Sequence, residues 1–377
     1  MSVYISDRSG GTAASDKATA KAGETVALTV APDNGYTLDS IRVITAKNKD
    51  AVELAKVSDT KYTFTMPTES VIASAEFEET EEAQSCVSGA SLSLNGEIGV
   101  NLYIKLGNLI GDGAYVMVKG PNDTEAKRVD LNSELYDINQ NAYKVSCPVY
   151  APQMGEKVEF TLFDENGVQH DIWNSAKTSS YEVYRYAVND YIETAKIKGG
   201  YNLKQLAGKM QNYGAWARDY LIASKQTSSD TAAICDTTEV TGVNASTFES
   251  KQIEKSSGFA VEGLSVSLSL DSKTALRIYY KGDSKEDKDV TAKHGTENVT
   301  LIRGTARDKN YVEIDNIPAH HLRDNYEFTF GDKGNATVSA YSYCYLVLAN
   351  STNEKLKSTV KAMYEYSEAA KNYFPKN

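Results

Sequence analysis

The sequence predicts a multidomain α+β protein: a small β-rich N-terminal module, then two related lobes, each a β-sandwich-like unit with C-terminal helices. Three observations predict it. The chain has 377 residues, more than a single core of ~100–200 residues. Period-two alternation punctuated by turn residues fills the early part of each segment, and period 3.6 appears only late. Three ordered blocks of sequence also recur in the second half.

Residues 1–80 read as short strands at 25–30, 41–45, 62–66 and 71–77. Alternation is plain in Val26-Ala27-Leu28-Thr29-Val30, and Pro32-Asp33-Asn34-Gly35 and Met66-Pro67-Thr68 are turn signals. Helical periodicity is absent. The acidic run Glu78-Glu79-Thr80-Glu81-Glu82 reads as a linker.

The stretch Ala22-Gly23-Glu24-Thr25-Val26, then Pro32-Asp33-Asn34-Gly35-Tyr36, then Tyr62-Thr63-Phe64-Thr65-Met66-Pro67, closing on Ala75-Glu76-Phe77, resembles the divergent internalin-type B-repeat of Gram-positive surface proteins. The resemblance implies a spacer or adhesion repeat with an extracellular address and no chemistry of its own.

The internal repeat organises the remainder. Ser91-Leu92-Ser93-Leu94…Leu102-Tyr103 aligns on Ser267-Leu268-Ser269-Leu270…Ile278-Tyr279, an offset of 176. Tyr143…Ala151…Glu159-Phe160-Thr161 aligns on Tyr311…Ala319…Glu327-Phe328-Thr329 at 168. Leu203…Met210…Tyr213…Ala217…Tyr220 aligns on Leu356…Met363…Tyr366…Ala370…Tyr373 at 153. Shrinking offsets mean one shared plan with longer loops in the first copy. Strands are expected at 91–94, 100–104 and 157–163, the last with the turn Asp164-Glu165-Asn166-Gly167. Helices are expected at 181–195 and 202–222. The second helix carries the stripe Leu203, Leu206, Ala207, Met210, Tyr213, Gly214, Ala217, Tyr220, Leu221. The units are therefore 86–224 (lobe 1), a Ser/Thr/Asp/Ala-rich linker at 225–247, and 248–377 (lobe 2).

The opening Gly89-Ala90-Ser91-Leu92…Gly99-Val100-Asn101-Leu102-Tyr103, the middle Ala151-Pro152-Gln153-Met154-Gly155-Glu156 and the closing Met210-Gln211-Asn212-Tyr213-Gly214-Ala215-Trp216-Ala217 resemble a module of secreted proteins from gut clostridia and ruminococci. Lobe 2 departs from the pattern: Tyr366-Ser367-Glu368-Ala369-Ala370 lacks the Tyr-Gly-Ala, and its opening lacks both glycines. A tandem of lobes behind a β-repeat is similar to the starch-adherence proteins of the ruminococcal amylosome. That similarity implies a non-catalytic α-glucan binder, with other surface-complex proteins as further partners.

Bulk composition excludes several classes. With 40 Lys and Arg against 51 Asp and Glu, the net charge is −11, which repels a phosphate backbone, so nucleic acid is not expected as a partner. No run reaches the ~18 apolar residues of a membrane span, so no membrane insertion is expected. The first residues, Met1-Ser2-Val3-Tyr4-Ile5-Ser6-Asp7, have no basic or apolar leader region. The chain is thus either cytosolic or secreted with its signal peptide absent, and the resemblances favour the second. Cys86, Cys147, Cys235 and Cys344 form no CxxC pair, which argues against a zinc ribbon and for unremarkable thiols.

Catalytic and cofactor motifs are not legible. His170, His294, His320 and His321 make no HExxH, and two adjacent imidazoles cannot share a helical face, so no metal is expected. Gly111-Asp112-Gly113 lacks the third glycine of a dinucleotide fingerprint. Gly208-Lys209 is followed by Met210 where a phosphate loop needs Ser or Thr. The run Asp283-Ser284-Lys285-Glu286-Asp287-Lys288-Asp289 reads as a solvated loop without the spacing of a calcium loop. No cofactor and no enzyme activity are expected.

A sugar offers edge hydroxyls and a flat C–H face, so its binder needs exposed aromatics beside hydrogen-bonding side chains. On helix phase, Trp216 lies about 110° from the buried stripe, and Tyr186 about 160° from the stripe of its helix. An offset of 157 would pair Tyr186 with Tyr343. The drop from 168 to 157 implies 11 extra residues in lobe 1 near 168–178, which include His170, Asp171, Trp173 and Asn174. The candidate ligand-binding residues are Trp173, Trp216, Tyr186, Tyr343, Asp171 and Asn174. The chain has 25 Tyr, of which the alignment matches pairs at 103/279, 143/311, 184/341, 186/343, 213/366 and 220/373. The expected function is extracellular, non-catalytic binding of starch or α-1,4-glucan through aromatics in and between the lobes. The alternative is a structural or adhesive cell-surface module that binds a protein or cell-wall polymer.

Overall fold

The structure, a computed structural model, describes residues 1–6, 9–94, 96–270, 273–282, 289–306 and 308–374. The acidic run predicted at 283–289 lies, except for Asp289, outside them. The N-terminal module is two small sheets face to face. One orders the strands Val3–Ser6, Val71–Glu79, Tyr36–Thr45 and Ala51–Val52; the other orders Gly11–Ser15, Thr25–Pro32, Lys61–Thr65 and Ala55–Ser58. Alternation sends Val26, Leu28 and Phe64 inward against Val43, Val71 and Ala73, a core of its own.

The module is not tethered by a free linker. Glu78 and Glu79 end the Val71–Glu79 strand, and a short turn leads straight into the Cys86–Ser93 strand of lobe 1. Asn108 donates its backbone N–H to the Glu82 carbonyl at 2.8 Å, and Thr80 donates to Gly35 at 2.8 Å. Glu79 accepts from the Tyr36 hydroxyl at 3.3 Å and from the Trp173 indole at 3.4 Å. Backbone pairing overrides the charge signal that suggested a spacer.

Each lobe is a two-sheet sandwich built to one plan. In lobe 1, the strands Tyr136–Asp137, Ala142–Pro148, Gly99–Lys105 and Cys86–Ser93 form one sheet, which Ile172–Trp173 and Ser180–Tyr181 extend. Lobe 2 repeats the four as Ile302–Ala306, Lys309–Ile314, Thr274–Tyr280 and Ser265–Leu270. The opposing sheet centres on Val158–Phe163 in lobe 1 and Tyr326–Phe330 in lobe 2. Period-two patterns bury Val100, Leu102 and Ile104 in one lobe and Leu276 and Ile278 in the other.

Strand register revises one of the alignment offsets. Asn101 lies opposite Ser146, and its counterpart Arg277 opposite Glu313, so this strand aligns at 167. Tyr311 therefore matches Lys144, not Tyr143, and a one-residue slip moves a side chain to the other face of a sheet. Tyr143 packs on the core, whereas Tyr311 stands on the outer face beside Tyr279.

The helix predicted at 181–195 begins later. Tyr184–Tyr186 is a strand paired with Val158–Phe163, and helix α1 runs Val188–Lys198. Asp190 starts the helix by accepting the Ala187 backbone N–H at 2.7 Å, at a terminus that favours a carboxylate. Helix α2 follows at Tyr201–Ala223. In lobe 2, α3 spans Ala340–Asn350 with Ser339 as its cap, and α4 spans Glu354–Tyr373. Cap matches cap at 187 and 339, an offset of 152, so Tyr343 corresponds to Tyr191 and Tyr186 to Val338. The extra segment of lobe 1 thus grows from 11 to 16 residues. Rings and β-propensity hid the boundary, because Tyr184 and Tyr186 fit a helix stripe as readily as a strand.

The two lobes share one continuous hydrophobic core. Residues 225–247 are a strap rather than a loose linker: Ile234, Val240 and Val243 are buried in that core, and Arg218 Nη2 donates to the Thr231 carbonyl at 2.8 Å. Composition alone cannot show that a polar stretch carries three anchoring apolar residues.

Candidate functional site

The lobes meet along α2 and α4, which pack antiparallel. Asn202 Nδ2 donates to the Asn372 carbonyl at 3.2 Å, and Lys355 Nζ donates to the Asp219 carbonyl at 3.4 Å. Asn202 and Lys355 are repeat equivalents, as are Asp219 and Asn372, so each contact is the image of the other. Residues that pair with their own equivalent mark the axis: Tyr213 stacks on Tyr366 at 5.6 Å, and Glu97 bridges Lys273. The two lobes are therefore related by a pseudo-twofold axis, the isologous geometry of a symmetric dimer fused into one chain. Lys209 to Glu365 at 2.7 Å has no mirrored partner, since Ala362 stands at the equivalent of Lys209.

Beside this axis lies a groove of about 710 Å³ lined from both lobes. Lobe 1 supplies Tyr220 and Leu221 from the end of α2, and Gln226 beyond it. Lobe 2 supplies Tyr343 from α3 and the outer face of its sheet, where Ser265, Ser267, Arg277 and Tyr279 alternate outward while Val266 and Leu268 point to the core. Burial, with the Tyr220 hydroxyl nearby, pushes the Tyr343 pKa up to about 12, so this phenol keeps its proton and can donate.

The floor is fixed by a charged network. Arg277 Nε donates to Glu313 Oε2 at 2.6 Å, Nη1 lies 3.4 Å from the Tyr279 hydroxyl, and the guanidinium sits 4.2 Å above the Tyr311 ring. Burial pulls the Arg277 pKa down, but Tyr279 and Glu313 outweigh it and hold the cation charged. Lys309 Nζ donates to the Gly263 carbonyl at 2.8 Å and reaches Ser265 Oγ at 3.4 Å. Ring faces, hydroxyls and fixed cations therefore converge in one concavity.

Of the six candidate ligand-binding residues, Tyr343 alone lines this groove. Tyr186 sits in the strand before α1, packed against the core, with burial pushing its pKa up to about 12. Its separation from any helix stripe therefore has no meaning. Trp216 is half-buried on the flank of α2, and its indole donates to the Thr238 carbonyl of the strap at 2.9 Å. Trp173 stands at the seam with the N-terminal module. Asp171 is near Tyr36 of that module, and Asn174 closes its own loop on Thr178 at 2.9 Å. The groove residues missed were Tyr220 and Tyr279, matched pairs in the repeat that read as buried architecture. Their matching was the usable signal, because a seam between repeats is lined by equivalent residues.

Three of the four histidines cluster instead in lobe 2. His294 and His321 both contact Asp324, at 3.3 and 2.6 Å, and the His320 ring lies 4.2 Å from that of His321. Among the described residues, no group of His, Cys, Asp and Glu has metal-binding geometry, and all four cysteines are free thiols. No helix among them is long and apolar enough to cross a membrane.

Comparison with known proteins places one part of the chain. Residues 1–81 match the family described as the divergent InlB B-repeat domain. No curated protein sequence matches the chain. Among solved structures, a DUF4785 family protein from Legionella pneumophila is 9% identical, with 47% of this chain and 56% of that one covered and a TM-score of 0.15. The full extracellular region of plexin A4 is 8% identical, covering 85% and 38% of the two chains, with a TM-score of 0.21. The FN1–FN3 domains of chicken CNTN1 are 11% identical, covering 86% and 94%, with a TM-score of 0.17. The chain thus spans 56% of the Legionella protein and 38% of the plexin region, and scores of this size do not establish a shared fold. What the comparisons support is confined to the N-terminal segment, residues 1–81, which match the divergent InlB B-repeat domain.

Proposed function

We propose that this is an extracellular, non-catalytic carbohydrate-binding protein whose glycan is a starch-type α-1,4-glucan and whose site is the inter-lobe groove. One observation carries the reading: Tyr220, Tyr279 and Tyr343, from three elements and both lobes, line one hydroxyl-rich groove of about 710 Å³. Tyrosine rings take the C–H faces of sugars, and Ser267, Gln226 and Arg277 take their hydroxyls. The B-repeat match at 1–81 supports the extracellular address, and the choice of α-glucan rests on the resemblance to starch-adherence proteins. The adhesive alternative rests on the same N-terminal match.

Retention on insoluble starch against cellulose tests the proposal. Starch should retain the protein, and Tyr343→Ala should weaken that retention at least tenfold, about 1.4 kcal/mol. If Tyr343→Ala and Tyr220→Ala leave retention unchanged, the groove is not the site. If neither polysaccharide retains the protein, the adhesive reading takes its place, and released reducing sugar would make it an enzyme.

A further inference from the structure

The pseudo-twofold axis has a consequence on its other side. Every aromatic element of the groove has an equivalent there: Tyr103 for Tyr279 on the sheet, Tyr191 for Tyr343 on the short helix, and Tyr373 for Tyr220 at the end of the long helix of the opposite lobe. The Asn202–Asn372 contact seats the end of α4 on lobe 1, as Lys355–Asp219 seats the end of α2 on lobe 2. The three rings are half-buried, as their counterparts are. Burial first, then the neighbouring Tyr373 and Tyr103, raise the Tyr191 pKa.

The floor differs in chemistry. Where lobe 2 has Arg277 and Glu313, lobe 1 has Asn101, 1% exposed, donating to Ser91 Oγ at 3.2 Å and accepting from Ser93 at 3.1 Å and Ser146 at 2.7 Å. Ser91 Oγ also lies 3.2 Å from the Tyr103 hydroxyl. Gly89 stands where lobe 2 has Ser265, and a Cβ there would meet nothing closer than 3.9 Å, so this end is open. The Ser91 and Ser93 hydroxyls, held in place by the buried Asn101 amide, suit an uncharged ligand rich in hydroxyl groups.

We propose that Tyr103, Tyr191 and Tyr373 form a second saccharide-binding groove, the pseudo-symmetric mate of the first, so that the chain binds two short oligosaccharides at once. This rests on the carbohydrate reading of the first groove. Two sites on one rigid body raise avidity for a polymer without any new contact.

Calorimetric titration of the full chain with maltoheptaose should give a stoichiometry of two. Tyr191→Ala with Tyr373→Ala should reduce it to one, as should Tyr220→Ala with Tyr343→Ala. Tyr191→Phe, which keeps the ring, should leave it at two. Hydrogen exchange on the unmodified protein needs no variant: the ligand should slow exchange in both α1 and α3. A stoichiometry of one with protection confined to α3 overturns the second site and leaves the proposed function intact. Absence of heat and of protection at both helices overturns the two together.

Discussion

Tyr213 stacks on Tyr366 with ring centroids 5.6 Å apart and planes 12° from parallel. The two residues hold the same place in successive repeats, so the contact lies on the axis that relates the lobes. Both rings are buried, at 3% and 4% exposure, and each closes the core of its own lobe while touching the other. Either Tyr→Ala substitution should cost about 3–5 kcal/mol, the range for truncating a buried aromatic ring. A double-mutant cycle read by urea denaturation should find a coupling of about 0.5–1.5 kcal/mol between them. Strict additivity would show that the stack adds nothing beyond burial.

Trp173 should govern how the B-repeat sits on lobe 1. Its indole reaches Glu79, its backbone N–H donates to the Ser85 carbonyl at 2.8 Å, and Lys177 from the same insertion donates to the Glu81 carbonyl. Trp173→Ala should therefore expose the turn at 80–85 to limited proteolysis, while starch retention stays as in the unmodified protein. Loss of retention with an intact turn would move the binding site to this seam.

How much of this was legible follows from what each pattern encodes. The stripe of α2 and its copy in α4 were readable because burial on one helix face leaves a period, and the predicted 202–222 differs little from Tyr201–Ala223. The seam was not readable, since Tyr220 and Tyr279 satisfy the same periodicity whether they face a core or a partner lobe. Alignment by residue identity also failed where rings are common. It matched Tyr186 with Tyr343, when the capping residues Ala187 and Ser339 set the true register. After correction, the matched tyrosines are 103/279, 191/343, 213/366 and 220/373, and all of them stand at the lobe boundary. These eight of the 25 tyrosines mark the seam, and six of them are half-buried, where a ring packs and still meets water.

Acid should destabilise lobe 2 through His320. Its Nδ1 is buried without a hydrogen-bond partner, and its ring packs on Phe374 at 4.9 Å. Burial first, then the neighbouring His321, lowers its pKa below the ordinary value, although Asp324 opposes the shift. A histidine with a depressed folded pKa binds its proton more readily when unfolded. Stability is then highest above the unfolded value of about 6.5 and falls as pH drops through it toward the folded value. Melting temperature followed from pH 8 to 5 should decline on the acid side, and His320→Gln should flatten that decline. An unchanged profile in the variant would assign the acid sensitivity to other groups.

Gly304 should prove necessary for the groove although it does not line it. It lies opposite Tyr311 in the sheet, and a Cβ at this position would fall 2.5 Å from the Tyr311 hydroxyl oxygen and 2.6 Å from Cζ. The bare Cα therefore lets the Tyr311 ring lie across the neighbouring strand, and that ring supports the Arg277 guanidinium from below. Gly304→Ala should displace the ring and remove a cation–π contact of about 0.5–2 kcal/mol. Arg277 would then be held by Glu313 and Tyr279 alone, free to tilt into the groove. Starch affinity at the Tyr343 groove should fall several-fold. Arg277→Lys should do the same, since an ammonium keeps the charge but cannot hold the two-point contact with Glu313 while stacked. Titration of both variants, with far-ultraviolet circular dichroism to confirm the fold, checks the prediction. Full affinity in both would remove the Arg277 platform from the binding mechanism and leave the tyrosine rings to act without it.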